Sequence, residues 1–466
     1  MVSGVIPIES VNVPLAEFTG AERTSDPKKE PSKKKNSRTG FEVNFMPQLN
    51  PILLPLVKNN GTLSLMRQVF GYLLATAFCS LPAMAQVDLH AHLHMKPGLG
   101  PLLRGSAKAQ AKAAHPSSRL DTKASEITLL NPGAPKITVV SLYAHPWLSS
   151  PLAFHFRDNV ARGLEEEYQA LAEFVRSQPD KVVLARNPSE ARTALQAGKK
   201  VLILSIEGAY GAMETEADLS KWVDERGLAI LTPFHLTEDY FGGAALLSPW
   251  LSLFTSPLSF FQSLMLSGGS CLNSFCASPM GMKPAGRDLV DRLVERKVWI
   301  DLAHANDLER RELLPEFQKR GLPLLVSHTT LESHFNAERS LSKLEIDYLK
   351  TTGGVVGLIP SDDYLEGGTS GTCFSGLFEF KKQVQSLERS VGKNKVMIGS
   401  DFNAPLKGLS PYCQTREGEI HGVFESGGFY RQDQFKSLSD FVASDPDWTR
   451  ATEEAFLSAW ERIRSR

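Results

Sequence analysis

The chain has 466 residues, 42% of them apolar, enough to form the core of one large domain or two ordinary ones. Lysine and arginine together number 51, and aspartate and glutamate number 52, so the formal charge is close to neutral. This balance argues against nucleic acid or an anionic membrane as the main partner, and it favours a small substrate selected inside a pocket.

The first 65 residues differ in composition from the rest of the chain. Basic residues cluster between Lys28 and Arg38 among prolines and serines, without an apolar period. Such a segment cannot bury enough surface to offset the entropy of ordering, so residues 1–65 are expected to be disordered or an upstream extension of the reading frame. A basic arm that binds nucleic acid is the alternative interpretation.

Residues 66–85 have the pattern of a signal peptide. Met66-Arg67 provides a positive start, Val69–Leu81 is an apolar run too short to span a bilayer comfortably, and Ala83-Met84-Ala85 is an A-x-A cleavage site. The mature chain would then begin at Gln86, without a stable membrane span, in an exported location that is periplasmic or secreted. An N-terminal anchor helix that stays uncleaved is the alternative.

From Gln86 onward, apolar runs of strand length alternate with longer amphipathic stretches. Several runs are nearly continuous in valine, isoleucine and leucine, which is typical of parallel strands buried on both faces. The eight runs are Val87–Leu89, Ile137–Leu142, Val201–Ile206, Leu228–Thr232, Val298–Leu302, Leu322–Val326, Gly354–Leu358 and Val396–Ile398. This alternation predicts an α/β fold, a (β/α)8 TIM barrel over residues 86–466. A doubly wound sheet is disfavoured because no Gly-rich phosphate turn follows the first run.

The segments between these runs predict helices and two long connections. The clearest helical patterns are Val160–Ser177, Ala285–Arg296, Leu308–Arg320 and Phe374–Val391. A further apolar run, Val182–Ala185, is interpreted as a short strand or part of a connection. The long connections are residues 98–135, after the first strand, and residues 241–283, after the fourth. The second is apolar and glycine-rich, which is typical of a lid-like insertion or of a dimer contact.

Five cysteines are present, and Cys79 falls within the predicted signal peptide. The other four permit two disulfides in an exported chain, and the sequence leaves three pairings open. A local bridge would join Cys271 to Cys276, in a loop rich in serine, glycine and asparagine, and the remaining two are Cys373 and Cys413. The lack of a C-x-x-C pair argues against a cysteine zinc site.

Several apolar runs stop at a residue type that can bind a metal ion. The first ends in His90-Ala91-His92, and residues two apart on a strand point the same way, about 6.6 Å apart along it. Two such imidazoles can converge on one ion. The later runs end at Glu207, His235, His304, His328 and Asp401. Because strand ends converge at one face of a barrel, these side chains predict a metal site there.

Histidines with acidic ligands and without cysteine suit zinc or another first-row divalent ion. Four histidines and a glutamate are too many for one catalytic ion that keeps an open position, so two bridged ions are expected. Glu207 is the natural bridge because its charge offsets both ions. The remaining histidines are interpreted as structural or surface residues, namely His94, His115, His145, His155 and His334.

The motifs resemble those of the membrane (renal-type) dipeptidase family, peptidase family M19 of the amidohydrolase superfamily. The resemblance covers most of residues 87–466, with segments in the family's order at Val87–His92, Ile206–Gly208, Leu231–His235, Ile300–His304, Val326–His328, Ile398–Phe402 and the last helix at Ala455–Arg462. It implies hydrolysis of short peptides with the help of two divalent ions, most simply Zn²⁺. Family members often pair, so a homodimer is also implied.

For the metal ligands, the resemblance implies that His90 and His92 bind one ion, that His304 and His328 bind the other, and that Glu207 bridges them. The family has H-x-D on the first strand, and His92 stands in place of the aspartate. The wider superfamily uses H-x-H, so ligation by His92 is still expected. A neutral ligand in place of an anion adds one unit of positive charge, which puts peptide specificity in question.

For the chemistry, the resemblance implies that His235 holds and polarises the scissile carbonyl and that Arg339 pairs with the substrate's C-terminal carboxylate. Asp401 would carry the proton from the attacking water to the leaving amine. The family's second aspartate of D-F-D is Asn403 here. The following loop has no clear match, and His421 within it is interpreted as a substrate contact or, more simply, a surface residue.

Three functions are therefore compared. The first is a zinc-dependent dipeptidase, favoured by Arg339, since a free carboxylate at a set distance defines a dipeptide-like substrate. The second is another amidohydrolase activity, on an N-acyl amino acid, a cyclic amide or a lactone, which His92 and the apolar insertion keep open. The third is a non-catalytic metal-binding barrel, which is disfavoured because Glu207 and Asp401 are both present.

Overall fold

The computed structural model describes residues 86–94, 122–144, 157–247, 252–253, 255–273, 275–365, 376–404, 406, 408–409, 429, 431–443 and 447–466. The disordered segment and signal peptide predicted for residues 1–85 lie outside this part, so both stay predictions. The same holds for Cys79, Cys373, Cys413, His115, His145, His155 and His421. Among the described helices, none combines the length and hydropathy needed to cross a membrane.

The described residues form one parallel sheet of nine strands. These are β1 Val87–Ala91, β2 Ile137–Leu142, β3 Val182–Ala185, β4 Lys200–Glu207, β5 Ile230–Thr232, β6 Trp299–Ile300, β7 Leu325–Thr329, β8 Val355–Leu358 and β9 Val396–Ile398. Neighbouring strands follow the order β6-β5-β4-β2-β1-β9-β8-β7. Asp301 bridges to Leu325, and the Leu302 amide donates to the Leu325 carbonyl at 2.9 Å, so β6 also meets β7. The predicted (β/α)8 barrel is confirmed.

The extra run at Val182–Ala185 is a strand outside the eight-membered ring. β3 pairs with the start of β4, from Val182 opposite Lys200 to Ala185 opposite Ile203. β5 pairs with the end of β4, where Glu207 stands opposite Thr232. One edge of the long β4 therefore pairs first with β3 and then with β5, while its other edge pairs with β2. The eight barrel strands correspond to the eight predicted runs.

One strand lies further along the chain than its apolar run indicates. The run Leu322–Val326 predicts a strand there, but β7 begins at Leu325. Pro323 has no amide hydrogen to donate to a ladder, and its carbonyl instead accepts a bond from the Trp299 indole at 2.9 Å. As a result His328 lies within β7 rather than after it.

Eleven α-helices occur in the described residues, and the predicted helical segments are confirmed with ends shifted by a few residues. They are α1 Thr122–Leu129, α2 Arg157–Ser177, α3 Pro188–Gln196, α4 Glu216–Leu219, α5 Pro257–Leu266, α6 Pro284–Glu295, α7 Asp307–Arg320, α8 Lys343–Thr351, α9 Gly376–Val391, α10 Phe435–Val442 and α11 Trp448–Arg464. Local signals explain their ends, as in α7. Asn306 and Glu309 form a capping box at its start, and Gly321, with φ 60°, ends it.

The insertion of residues 241–283 has a small apolar core of its own. Leu246, Phe260, Cys271 and Cys276 are buried together, with α5 supplying Phe260. The local disulfide between Cys271 and Cys276 is present, as the loop composition indicated. The insertion is therefore a folded element between β5 and β6.

Close packing of β7 against β8 requires glycine at position 357. A Cβ placed on Gly357 would lie 1.9 Å from the carbonyl oxygen of Ser327, which is backbone and cannot rotate away. We expect Gly357→Ala to lower the free energy of unfolding by about 2–3 kcal/mol, measured by urea denaturation. Gly281→Ala is the control, since its Cβ would meet only the Leu308 side chain at 3.4 Å. Equal stability of the two variants would contradict this packing.

Candidate metal centre

The barrel brings the ligand-type residues predicted at the strand ends to one place. β1 carries His90 and is followed by His92, Glu207 ends β4, and His328 lies in β7. The remaining three follow β5, β6 and β9 and are His235, His304 and Asp401. All except His235 are buried, and the His235 side chain is 11% exposed. Residues as far apart in the chain as His90 and Asp401 thus share one centre.

Glu207 lies at the middle of this centre. Its two carboxylate oxygens face the Nε2 atoms of five histidines at distances from 3.1 to 3.6 Å. Oε1 lies near His304 at 3.1 Å, His328 at 3.3 Å and His90 at 3.6 Å, and Oε2 near His92 at 3.4 Å and His235 at 3.5 Å. Both oxygens therefore have nitrogen neighbours. His304 and His328 share Oε1, whereas His90 and His92 lie nearest to different oxygens.

The nitrogen atoms are spaced as ligands of one ion would be. His90 Nε2 lies 3.3 Å from His92 Nε2, and His304 Nε2 lies 2.9 Å from His328 Nε2. Two nitrogens bound to a tetrahedral zinc ion at their usual distance are separated by about 3.3 Å. Each pair forms a group with Glu207 that could hold a metal ion, and His90, His328 and Asp401 form a third. The donor set therefore fits divalent metal ions.

The imidazole of His92 is oriented by a backbone acceptor. His92 Nδ1 lies 2.9 Å from the carbonyl oxygen of Ser141, on the neighbouring strand β2. A carbonyl can only accept, so Nδ1 carries a hydrogen, and Nε2 is the ring nitrogen that can bind a metal ion once it gives up its own proton. The residue at the position of the family's aspartate is thus prepared to be a ligand.

The charges at the centre stabilise one another. Burial opposes ionisation of Glu207, but the imidazoles of His235, His90 and His304 outweigh it and hold its pKa well below the usual value. Burial acts against Asp401 in the same way, and His92 and its neighbours again lower the carboxyl pKa. For His92, contacts with Asp401 and Glu207 outweigh burial and raise the pKa well above 6.5.

The other imidazoles are kept neutral. Burial lowers the pKa of His304 and His328 to about 3 and that of His235 to about 4. A neutral imidazole is the form that binds a metal ion. At neutral pH these three rings therefore present nitrogen lone pairs, or a single N–H, rather than positive charge.

Asp401 is held in an uncommon backbone conformation. Its φ of 51° lies in the left-handed region, which costs a residue with a side chain about 1–3 kcal/mol unless its surroundings fix it. The Asp401 amide donates to the His90 carbonyl at 2.8 Å, which holds the chain in place. Asp401 Oδ1 then lies 3.2 Å from His92 Nε2 and 3.9 Å from His90 Nε2.

Asn403 has a structural role that its sequence motif did not reveal. It is buried, with φ 69°, and its side-chain amide donates a hydrogen bond to the backbone carbonyl of His92. Asparagine tolerates the left-handed region better than most residues. Asn403, which stands where the family has the second aspartate of D-F-D, thus fixes the backbone of His92. His92 in turn stands where the family has the aspartate of H-x-D.

Arg339 is a buried cation beside the centre. It is 3% exposed, one Nη donates to the Tyr364 hydroxyl at 2.9 Å, and the other donates to the His328 carbonyl at 3.1 Å. Within the described residues no carboxylate pairs with the guanidinium, and its Nε has no hydrogen-bond partner. A buried guanidinium with spare donors is suited to an anionic ligand.

Two tyrosines near the centre were missed by the sequence analysis. The Tyr364 ring stacks below the Arg339 guanidinium, 4.9 Å away. Tyr143 directly follows β2, and its ring centroid lies 4.6 Å from that of His235 and 5.9 Å from that of His92. Tyr143 directly follows an apolar run, so the pattern that indicated the other strand-end residues also indicates Tyr143. Tyr364 lies in a loop and offered no such signal.

The insertion is attached next to this centre. The Ala245 amide donates to the His304 carbonyl at 2.9 Å. Glu338, which precedes Arg339, accepts from the amides of Leu246 and Ser278 at 2.8 and 2.9 Å. Burial raises the pKa of Glu338 to about 7. Both ends of the insertion are therefore bonded to residues at or beside the centre.

The described histidines that were interpreted as structural lie outside the cluster. His94 is buried, and its Nε2 lies 2.7 Å from Glu126 Oε1. His334 Nδ1 lies 3.0 Å from the Ser333 hydroxyl. Neither belongs to a group of residues that could hold a metal ion.

Comparison with known families agrees with the motifs. The model of the membrane dipeptidase family (peptidase family M19) matches residues 267–415, which include His304, His328, Arg339 and Asp401. The resemblance to the membrane dipeptidase family is confirmed. A curated relative, the uncharacterized protein in the pqqA 5' region of Klebsiella pneumoniae, is 23% identical over 208 residues, or 44% of this chain and 76% of its own length.

Solved structures share the fold. The probable dipeptidase PvdM from Pseudomonas aeruginosa superposes with a TM-score of 0.57 at 17% identity, over 86% of this chain and 99% of its own. A metallo peptidase from Rhodobacter sphaeroides, bound to a phosphinate mimic of the dipeptide L-Ala-D-Ala, gives 0.54 at 17% identity, over 82% and 99%. At 17% identity these likenesses show the fold, and they agree with the parallel barrel described above.

Glu207 is the residue on which metal binding should depend most. Glu207→Gln removes the negative charge that faces all five imidazoles, and we expect affinity for divalent ions to fall by more than about 100-fold, beyond the loss typical of outer hydrogen-bond partners. Metal content after dialysis, measured by mass spectrometry, checks this. Glu332→Gln, at an exposed position after β7, should retain the ions. Metal retention by both variants would show that the ions bind elsewhere.

Proposed function

We propose that this chain is a metal-dependent dipeptidase that hydrolyses short peptides with a free C-terminal carboxylate. The observation that carries the proposal is the cluster of five histidine Nε2 atoms around the buried carboxylate of Glu207. A buried carboxylate with so many nitrogen donors is suited to holding cations rather than to stabilising the fold.

The proposal includes two divalent ions, with zinc as the first candidate because the donors are histidine and carboxylate. His90 and His92 would hold one ion, His304 and His328 the other, and Glu207 both. When bound, a pair of such ions lowers the pKa of water from about 15.7 to near 7 and polarises a carbonyl group.

The remaining polar residues would act on the substrate. Asp401 would accept the proton from the attacking water and pass it to the amine as the peptide C–N bond breaks and a C–O bond forms. His235 would donate its N–H to the oxygen of the scissile carbonyl. Its side chain is 11% exposed, whereas that of His90 is 1% exposed, which supports a position on the substrate side of the centre.

Arg339 would select the substrate by its carboxylate. The guanidinium keeps unused N–H donors after its bonds to Tyr364 and to the His328 carbonyl, and no described acidic side chain neutralises it. Because Arg339 is bonded to the backbone of a proposed metal ligand, the carboxylate would bind at a fixed distance from the reacting carbonyl. That distance would limit the length of the peptide.

Hydrolysis of an N-acyl amino acid is the second candidate. Such a substrate also has a free carboxylate for Arg339, and the insertion beside the centre supplies an apolar surface for an acyl group. Residues 241–282 contain no charged side chain, and α5 leaves Leu258 and Met265 exposed. A panel of dipeptides, N-acyl amino acids and lactones decides between the candidates, because turnover of acyl substrates without turnover of any dipeptide would exclude the first.

The proposal also covers the location of the chain and its oligomeric state. We propose that the chain acts in the periplasm or outside the cell after cleavage before Gln86, on the basis of the signal-peptide pattern. A homodimer is likewise proposed from the family resemblance.

Asp401 provides a test of the catalytic step. We expect Asp401→Asn to lower kcat by about 100- to 10,000-fold, because the amide cannot accept the proton from water. Asparagine tolerates the left-handed φ at this position, so the fold should survive. Metal content should stay at the wild-type ratio. Loss of the ions together with activity would make Asp401 a ligand and refute the proton-transfer role.

Arg339 provides a test of substrate selection. We expect Arg339→Lys to raise KM for a dipeptide more than about tenfold, because lysine cannot form the two-pronged bond to a carboxylate. The control is the same dipeptide with an amidated C-terminus, which should be a poor substrate of the wild type and change little in the variant. An equal loss for both substrates would indicate that Arg339 supports the fold rather than the carboxylate.

A further inference from the structure

The hydroxyl of Ser327 lies behind two histidines of the metal centre. Ser327 precedes His328 in β7, is completely buried, and its Oγ lies 2.8 Å from His328 Nδ1 and 3.3 Å from His90 Nδ1. The same oxygen lies 2.5 Å from Asp301 Oδ2. One hydroxyl therefore contacts a carboxylate and two imidazoles. It meets each imidazole at Nδ1, whereas the Nε2 atom of each ring faces Glu207.

The direction of these hydrogen bonds follows from the surroundings of Asp301. Its Oδ1 accepts from the amides of Ser327 and Ala303 at 2.8 and 3.0 Å, and its Oδ2 accepts from the hydroxyls of Thr232 and Ser327 at 2.7 and 2.5 Å. A carboxylate can only accept, so the single hydrogen of the Ser327 hydroxyl points to Asp301. The serine oxygen then has only lone pairs to offer to the two imidazoles.

We propose that Ser327 is a positioning residue that fixes the tautomer of His90 and His328 together. An imidazole facing a lone pair must carry its hydrogen on Nδ1, which leaves the Nε2 lone pair directed at the metal centre. His90 belongs to one candidate ligand group and His328 to the other. Through one hydroxyl, Asp301 thus prepares both halves of the centre. The inference rests on the proposed metal binding, not on the identity of the substrate.

The other two histidine ligands do not depend on this hydroxyl. His92 Nδ1 has the Ser141 carbonyl at 2.9 Å. His304 Nδ1 has no hydrogen-bond partner among the described residues. Removing the Ser327 hydroxyl should therefore weaken metal binding without abolishing it.

The first experiment compares the two hydroxyls that bond to Asp301. We expect Ser327→Ala to weaken zinc binding by about 10- to 100-fold, the usual effect of losing an outer partner of a metal ligand. Affinity is measured by competition with a chromophoric chelator, without substrate. Thr232→Val is the matched control, since it removes the other hydroxyl from the same oxygen but touches no imidazole, and it should bind zinc within a few-fold of wild type. Equal affinities of the two variants would overturn the proposal.

The second experiment reverses the hydrogen bond. In Asp301→Asn, the two backbone amides require the amide oxygen at the Oδ1 position, so the NH2 group faces the Ser327 hydroxyl. The serine then accepts from the asparagine and donates its single hydrogen to the Nδ1 of either His90 or His328. That ring then favours the tautomer with hydrogen on Nε2, which opposes its binding of a metal ion. We expect Asp301→Asn to bind zinc more weakly than Ser327→Ala.

The decisive variant combines the two changes. In this double variant no serine hydroxyl can donate a hydrogen to a histidine Nδ1. Asp301→Asn with Ser327→Ala should therefore bind zinc at least about tenfold more tightly than Asp301→Asn alone. A purely structural role predicts that the double variant is as weak or weaker, and that result would refute the proposal. If Asp301→Asn does not fold by circular dichroism, the comparison of Ser327→Ala with Thr232→Val decides. A chain that binds zinc but cleaves no dipeptide would refute the proposed function while leaving this test readable.

Discussion

The buried charge of Glu207 is the constraint on which the centre depends. Removing an ionised carboxylate from water costs several kcal/mol unless other groups solvate it. Here the solvating groups are five imidazoles from four other segments of the barrel, so no local stretch of sequence could supply them. Glu207 can therefore stay ionised only because the closed barrel brings these imidazoles around it. The Glu207 carboxylate in turn draws the nitrogen atoms to where cations can bind.

Hydrogen bonds that run around the ring hold the strand ends in register. Asp88 in β1 accepts from the Ser400 amide and hydroxyl after β9, at 2.8 and 2.5 Å, and burial raises its pKa to about 7. Asp301 after β6 accepts from the Ser327 amide and hydroxyl of β7 in the same way. Each acid thus joins its strand to the next one behind a histidine of the centre. The positions of the imidazoles follow from these bonds as much as from the strands themselves.

The two departures from the family pattern are physically connected. His92 replaces an acidic ligand, and Asn403 replaces an acidic residue that follows Asp401. Asn403 bonds to the backbone of His92, while Asp401 lies 3.2 Å from its imidazole. The carboxylate of Asp401, which the family pattern shares, is therefore an acidic neighbour of the imidazole at position 92. We expect these two residues to be the main reason for any difference in metal affinity and substrate preference between this chain and relatives with H-x-D.

The sequence by itself determined the barrel and the identity of the residues at its strand ends. Apolar runs and the residues that end them are local features, and strand ends converge in any (β/α)8 barrel, so His90, Glu207 and His304 could be predicted to meet. The tertiary structure decided what depends on the paths of loops and on exact side-chain directions. The side chain that Arg339 bonds to is Tyr364, 25 residues further along the chain. The hydrogen bond between His90 Nδ1 and the Ser327 hydroxyl oxygen joins residues 237 positions apart. No periodicity encodes such contacts, because only the folded chain brings these groups within hydrogen-bond distance.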